Sequence, residues 1–170
     1  IDVWKDALAT YAYNHKKSMT LCADLASLNP VDVDEKIGGK HIDVIIGGPP
    51  CQGFSVAGKR IVDDERNQLY KAFVRMVAHF KPKAFVLENV PNILSIGGGI
   101  VKDAIVEDFE KLGYRVVNKV LMASDYGVPQ NRNRYIMVGN RRGVDFYFPE
   151  KKKKLFTVSD AISDLPELYN

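Results

Sequence analysis

The sequence predicts an α/β protein built on a doubly wound, mostly parallel sheet, and three observations carry that prediction. Short apolar runs alternate with stretches of helical periodicity for most of the 170 residues. Successive apolar runs are closed by loops of unusual composition, Gly47-Gly48-Pro49-Pro50 after one and Glu88-Asn89-Val90-Pro91 after the next. No internal repeat or linker divides the chain, so residues 1–170 read as one domain.

Trp4, Ala7, Leu8, Tyr11 and Ala12 recur at helical spacing and predict a helix over 4–15. Met19 to Cys22 reads as a short strand, which makes Cys22 a small buried hydrophobe. Asp43 to Ile46 is a buried strand that ends in the Gly-Pro turn. Leu69, Phe73, Met76, Val77 and Phe80 mark a second helix, closed by Lys81-Pro82, and Ala84 to Leu87 is the next buried strand. Gly97-Gly98-Gly99 reads as a flexible loop. A third helix runs through Val101, Ile105, Phe109 and Leu112, with Gly113 where a C-terminal cap glycine belongs. Tyr114 to Met122 and Arg134 to Gly139 are later strands, and Thr157-Val158-Ser159-Asp160 begins a short last helix.

Composition excludes several classes. Apolar residues make up 46% and charged residues 26%, ordinary for a globular chain. Twenty-four basic against 21 acidic residues give +3, which permits a nucleic-acid partner without demanding one. Cys22 and Cys51 form no C-x-x-C pair, and the three histidines are scattered, which argues against a disulfide scaffold, a zinc site or any other bound metal. No apolar run approaches a membrane span and no signal-peptide pattern is present, so a reducing cytosol fits. The abrupt start at Ile1 and end at Asn170 read as a piece of a longer protein.

In open α/β sheets, ligands bind at the carboxyl ends of strands, and three clusters fall beside strand–loop boundaries. The loop Gly47-Gly48-Pro49-Pro50-Cys51-Gln52-Gly53-Phe54-Ser55 presents a cysteine past a buried strand, the polar, partly exposed setting that a nucleophilic thiolate needs. Glu88 in Glu88-Asn89-Val90 ends the next strand, where it is either a solvated loop acid or a partner of Cys51. Gln130, Arg132 and Arg134 precede a strand. Two guanidinium groups at alternate extended positions suit an anion or a planar polar base, although a surface charge pair has the same pattern.

These clusters, in this order, resemble the cytosine-5 DNA methyltransferase family, whose hallmarks are Pro-Cys-Gln (Pro50, Cys51, Gln52), Glu-Asn-Val (Glu88, Asn89, Val90) and Gln-x-Arg-x-Arg (Gln130, Arg132, Arg134). The run Gly47 to Ser55 looks typical of the bacterial restriction-modification branch. The resemblance implies the sheet of the S-adenosylmethionine-dependent methyltransferases, of Rossmann-like type, and transfer of a methyl group to C5 of cytosine in duplex DNA. It implies that Cys51 attacks C6 of a flipped base while Glu88 bonds its N3 and amine edge and Arg134, with Arg132, contacts O2 and a nearby phosphate, with Pro50, Gln52, Gly53, Phe54, Ser55, Asn89, Val90 and Gln130 around the substrate. For the cosubstrate S-adenosylmethionine it implies Asp2 at the ribose hydroxyls, Val3 on the adenine and Asp24 at the adenine amine, with Leu25, Pro50 and Leu69 beside it. Strand-end capping is the simple alternative at Asp2 and Asp24.

The family's glycine-rich first motif and its target-recognition domain have no counterpart in 1–170. The expectation is therefore a catalytic-domain fragment, inactive alone, completed by the rest of the enzyme or a partner subunit. Other readings remain. A tRNA cytosine-5 methyltransferase shares the Cys, Glu and Arg logic, but that branch typically has Pro where Gly53 stands. A silent binding or regulatory module is disfavoured by intact Cys51, Glu88 and Arg134, and a thiol redox protein by the lack of a nearby resolving cysteine. The Lys151–Lys154 run is either a solvated loop or a set of phosphate contacts.

Overall fold

The computed structural model describes residues 1–50 and 68–166. Along the chain run helices α1 (Lys5–Asn14) and α2 (Pro30–Lys36), strand β1 (Val44–Gly47), helix α3 (Gln68–Phe80) and strand β2 (Ala84–Asn89). Helix α4 (Ile100–Lys111), strands β3 (Arg115–Met122) and β4 (Asn133–Asn140), and the short helix α5 (Val158–Ile162) follow.

The strands lie in the order β1-β2-β4-β3. β1 pairs parallel with β2, and β4 pairs antiparallel with both β2 and β3. Three strands therefore share one direction and β4 alone is reversed. The expected α/β class holds, and the described sheet is mixed, with one parallel ladder and two antiparallel ladders that both belong to β4. The cause is local: the chain returns from β3 through a 3₁₀ turn (Ala123–Tyr126) and an extended loop, with no helix to carry it back for a parallel crossover.

Side-chain alternation decides which face is buried. In β2, Phe85, Leu87 and Asn89 point to the helix-covered face, and opposite them in β4 stand Gly139, Met137 and Tyr135. Tyr70, Phe73 and Val77 of α3 and Val101, Ile105 and Phe109 of α4 complete this core. Its centre is aromatic: the Phe85 and Phe109 rings lie 4.0 Å apart, and Phe73 meets both edge-on at 6.2 Å. Each such buried ring contributes about 1.5–3 kcal/mol relative to exposure. Gly139 makes room for it, because a Cβ there would lie 2.1 Å from the Phe85 ring. Of the three core tyrosines, two have bonded hydroxyls, Tyr70 donating to Asp108 at 2.9 Å and Tyr114 to the Pro82 carbonyl at 2.8 Å, while the buried Tyr135 hydroxyl meets no partner among the described residues.

The expected helices and strands appear within a residue or two of their predicted bounds, with four differences. α2 was not signalled by periodicity, yet Asn29 caps it by accepting from the Val31 N–H, and Pro30 starts it. The strand expected over Met19–Cys22 reduces to one parallel bridge between Asp2 and Cys22. Cys22 is consequently exposed and not a core residue, because among the described residues no strand or helix covers it; its thiol lies 3.7 Å from the Val3 carbonyl. Gly97, Gly98 and Gly99 form an ordered 3₁₀ turn, all with positive φ, that feeds directly into α4. β1 ends the described sheet, leaving Val44 and Ile46 exposed on the face away from α3.

Candidate functional site

The carboxyl ends of β1, β2 and β3 and the start of the reversed β4 share one edge of the sheet. Reversal of β4 is what delivers its first residues there. Glu88, the penultimate residue of β2, lies opposite Ile136, so Arg134 is its diagonal neighbour on the same face. The Arg134 Nε lies 2.5 Å from the Glu88 Oε1, and the guanidinium also donates to the Asn133 carbonyl at 2.8 Å. Arg134 is the more covered partner, its side chain 23% exposed against 42% for Glu88. A guanidinium with one edge engaged still offers N–H groups to a ligand oxygen.

The turn after β1 comes against the same carboxylate. A Cβ on Gly48 would lie 2.9 Å from the Glu88 Oε2, and one on Gly47 would lie 2.7 Å from the Phe73 ring. Neither glycine has positive φ, so both are needed for close approach and not for backbone freedom. Asn89 is 6% exposed, and its side-chain amide donates to the Pro49 carbonyl at 2.9 Å while its side-chain oxygen accepts from the Val90 N–H. The sequence reading placed Asn89 at the substrate; in the structure its side chain ties the two loops together. This signal was hidden, since an Asn after a strand looks the same whether it faces a ligand or a neighbouring loop.

Pro49 and Pro50 then lead to the predicted nucleophile. Cys51, Gln52, Gly53, Phe54 and Ser55 lie outside the described residues. Val90 and Gln130 are exposed at the loop edge, and the Gln130 N–H bonds the Val128 carbonyl at 2.7 Å. Arg132 is exposed and stands one residue before β4, its carbonyl accepting from the Ala123 N–H at 2.9 Å. It thus shares the edge with Arg134 but not the described ion pair with Glu88.

Beside β1 lies a cavity of about 510 Å³. It runs from Asp2, Val3, Asp24 and Leu25 across Leu69 to Pro50, so all six residues assigned to the cosubstrate line one space. Asp2 accepts from the Trp4 N–H and Asp24 from the Ala26 N–H, each at 2.9 Å and each through one oxygen. The capping alternative is therefore real, and among the described residues no hydrogen bond engages the second oxygen of either carboxylate. Apolar walls with two carboxylates at strand ends fit a nucleoside-bearing molecule. Among the described residues, no group of three or more His, Cys, Asp or Glu is arranged to hold a metal ion. No helix among them is long and apolar enough to cross a membrane.

Comparison with known proteins agrees with this geometry. The family model described as C-5 cytosine-specific DNA methylase matches residues 1–169. The chain is 44% identical over 163 residues to Type II methyltransferase M1.HphI of Haemophilus parahaemolyticus, covering 94% of this chain and 44% of that protein. It is 42% identical to Type II methyltransferase M.DdeI of Desulfomicrobium norvegicum, covering 97% and 41%. Among solved structures, an E. coli prophage-encoded protein described as a DNA modification methyltransferase superposes with a TM-score of 0.82 at 34% identity, over 98% of this chain and 47% of that one. Entamoeba histolytica methyltransferase EhMeth shares the fold, with a TM-score of 0.74 at 20% identity. The chain thus spans less than half the length of the curated relatives named here.

Proposed function

The chain belongs to the C-5 cytosine-specific DNA methylase family, and from that premise we propose that the gene product carrying it methylates C5 of cytosine in duplex DNA, as a bacterial DNA (cytosine-5-)-methyltransferase of the restriction-modification type. The observation that carries this reading is the Glu88–Arg134 pair, set against the Gly48 turn that leads through Pro49 and Pro50 to Cys51. An acid and a guanidinium meet at one strand edge, against the turn of Gly48, Pro49 and Pro50 that precedes Cys51 in the chain and beside a cavity that suits the cosubstrate.

Cytosine C5 is a poor nucleophile until an atom adds at C6. The Cys51 thiolate forms that C6–S bond, and the displaced ring electrons move toward C5. Glu88 holds the N3 and amine edge as the ring gains charge, and Arg134 reaches O2, with Arg132 toward the phosphates. The arginine's charge also favours the thiolate over the thiol. Bound S-adenosylmethionine supplies the electrophilic methyl group. Loss of the C5 proton to a base and return of the C6–S electrons to sulfur restore the aromatic ring. Because C5 and C6 are stacked inside a duplex, the base must leave the helix to reach the loop, where Gln52, Gly53, Phe54, Ser55, Val90 and Gln130 surround it. Asn89 is a positioning residue in this scheme, fixing Pro49 and hence the approach to Cys51.

Asp2 and Val3 would hold the ribose and adenine ring, Asp24 the adenine amine, and Leu25, Pro50 and Leu69 the remaining walls. A free exposed Cys22 suits a reducing cytosol.

The test is covalent trapping. The complete gene product is incubated with S-adenosylmethionine and duplex DNA carrying 5-fluorocytosine, whose fluorine cannot leave as a cation, and the adduct is mapped by mass spectrometry. An adduct on Cys51 is expected. An adduct on Cys22, or turnover on DNA without any adduct, overturns the assignment.

A further inference from the structure

We propose that Lys152, Lys153 and Lys154 form a rail that contacts DNA phosphates beside the base site, an inference that rests on the duplex-DNA reading above. A run of four lysines in a solvated loop repels itself and keeps its conformational freedom. This run is held. The Lys151 ammonium lies 2.7 Å from the Asp125 carboxylate, and the Lys152 backbone N–H donates to the Asp125 carbonyl at 2.7 Å. The Lys152 and Lys154 ammonium groups stand 5.8 and 5.2 Å from the centre of the Phe156 ring, within cation–π reach. Gly127 makes space for the Lys152 side chain, since a Cβ there would lie 3.1 Å from its end. The chain then leaves through a capping box in which Thr157 and Asp160 bond each other reciprocally.

What the run is held against gives it meaning. Asp125 belongs to the 3₁₀ turn that directly follows β3, on the edge that carries Glu88 and Arg134. The first residue of that turn bonds Arg132. Lys151 is paired with Asp125, and Lys154 interacts with the Asp160 carboxylate, so Lys152 and Lys153 are the exposed ammonium groups that form no ion pair among the described residues. In the order β1-β2-β4-β3, β3 lies two strands from β2, roughly 10 Å at about 4.8 Å per strand.

The test uses the complete gene product with Lys152, Lys153 and Lys154 all changed to Gln, leaving Lys151 as the staple. Dissociation constants for target and non-target duplexes are measured across a range of salt. Both affinities should weaken together, and the slope of log affinity against log salt should fall by about 2–3, near 0.9 per phosphate contact. The thermal midpoint and the affinity for S-adenosylhomocysteine should not move. A second variant, Lys153→Glu alone, should weaken binding further than Lys153→Gln. Phosphate-ethylation interference flanking the target base should weaken in the triple variant at the phosphates that the lysines contact. Unchanged slope and affinity in a folded variant overturn the rail while leaving the methyltransferase reading intact. Methyl transfer by the unmodified protein to RNA and not to duplex DNA overturns both.

Discussion

Arg134 reaches Glu88 diagonally across the antiparallel β2–β4 ladder, Nε to Oε1 at 2.5 Å, so that the acid and the guanidinium meet without a ligand between them. The acid acts on charge that develops in the ring, and its loss should fall on chemistry and not on DNA affinity. Glu88→Gln is expected to raise the single-turnover barrier by about 2–4 kcal/mol, the usual effect of removing one electrostatic stabiliser. Rapid-quench methyl transfer at saturating DNA checks this. A normal rate would make Glu88 structural only.

Three glycines should separate catalysis from stability. At Gly48 a Cβ meets the movable Glu88 carboxylate, whereas at Gly47 and Gly139 it meets the packed Phe73 and Phe85 rings. Gly48→Ala should therefore lower the methyl-transfer rate with little change in urea midpoint. Gly47→Ala and Gly139→Ala should destabilise by about 1–3 kcal/mol or more, as overpacked cores do. Equal losses of midpoint at all three positions would contradict this division.

Asn89→Asp keeps the shape of the side chain but replaces the donor that faces the Pro49 carbonyl with an oxygen. In a buried site the loss of one such bond costs about 1–3 kcal/mol. The rate of Cys51 alkylation by iodoacetamide should change as well, since the loop that leads to the thiol loses its tether. A destabilised variant with unaltered alkylation would show that Asn89 supports the fold without positioning the loop.

Hydrogen bonds from the Thr157 backbone and hydroxyl hold the Asp160 carboxyl below its ordinary value of 3.8. A folded pKa below the unfolded one gives stability that is present above pH 3.8 and is lost as pH falls through it toward the lower folded value. Comparing the wild type with Asp160→Asn by urea unfolding, the wild-type advantage should be full at neutral pH and shrink on acidification below about pH 4. A difference that grows in acid would reverse the sign and remove the cap's role.

Much of this was readable in the sequence, for identifiable reasons. Phe73, Met76, Val77 and Phe80 advertise α3 because one face of it is packed and the other is not. Glu88 and Arg134 were readable as residues at strand boundaries, since loops at such ends are where polar side chains collect. The direction of β4 was not, because an apolar run of that length is the same forward or reversed. Cys22 was misplaced because an apolar run predicts burial only if something packs on it, and the single bridge to Asp2 provides too little cover. The Asn89–Pro49 bond joins two loops far apart in sequence, which no local pattern reports.

The reversed strand also sets an order on folding during synthesis. β1 and β2, with α3 between them, are complete when the ribosome has made the first half of the chain, and Gly48 and Glu88 can meet then. β2 must wait, one edge open, until α4, β3 and the turn behind it have emerged, because β4 is the last of the four described strands to be made and inserts between two already present. Arg134 thus arrives last, and the acid stands without its guanidinium throughout that interval. A nascent chain stalled before β4 carries an unpaired central edge, which makes that stretch of translation the most exposed to misassociation and chaperone capture.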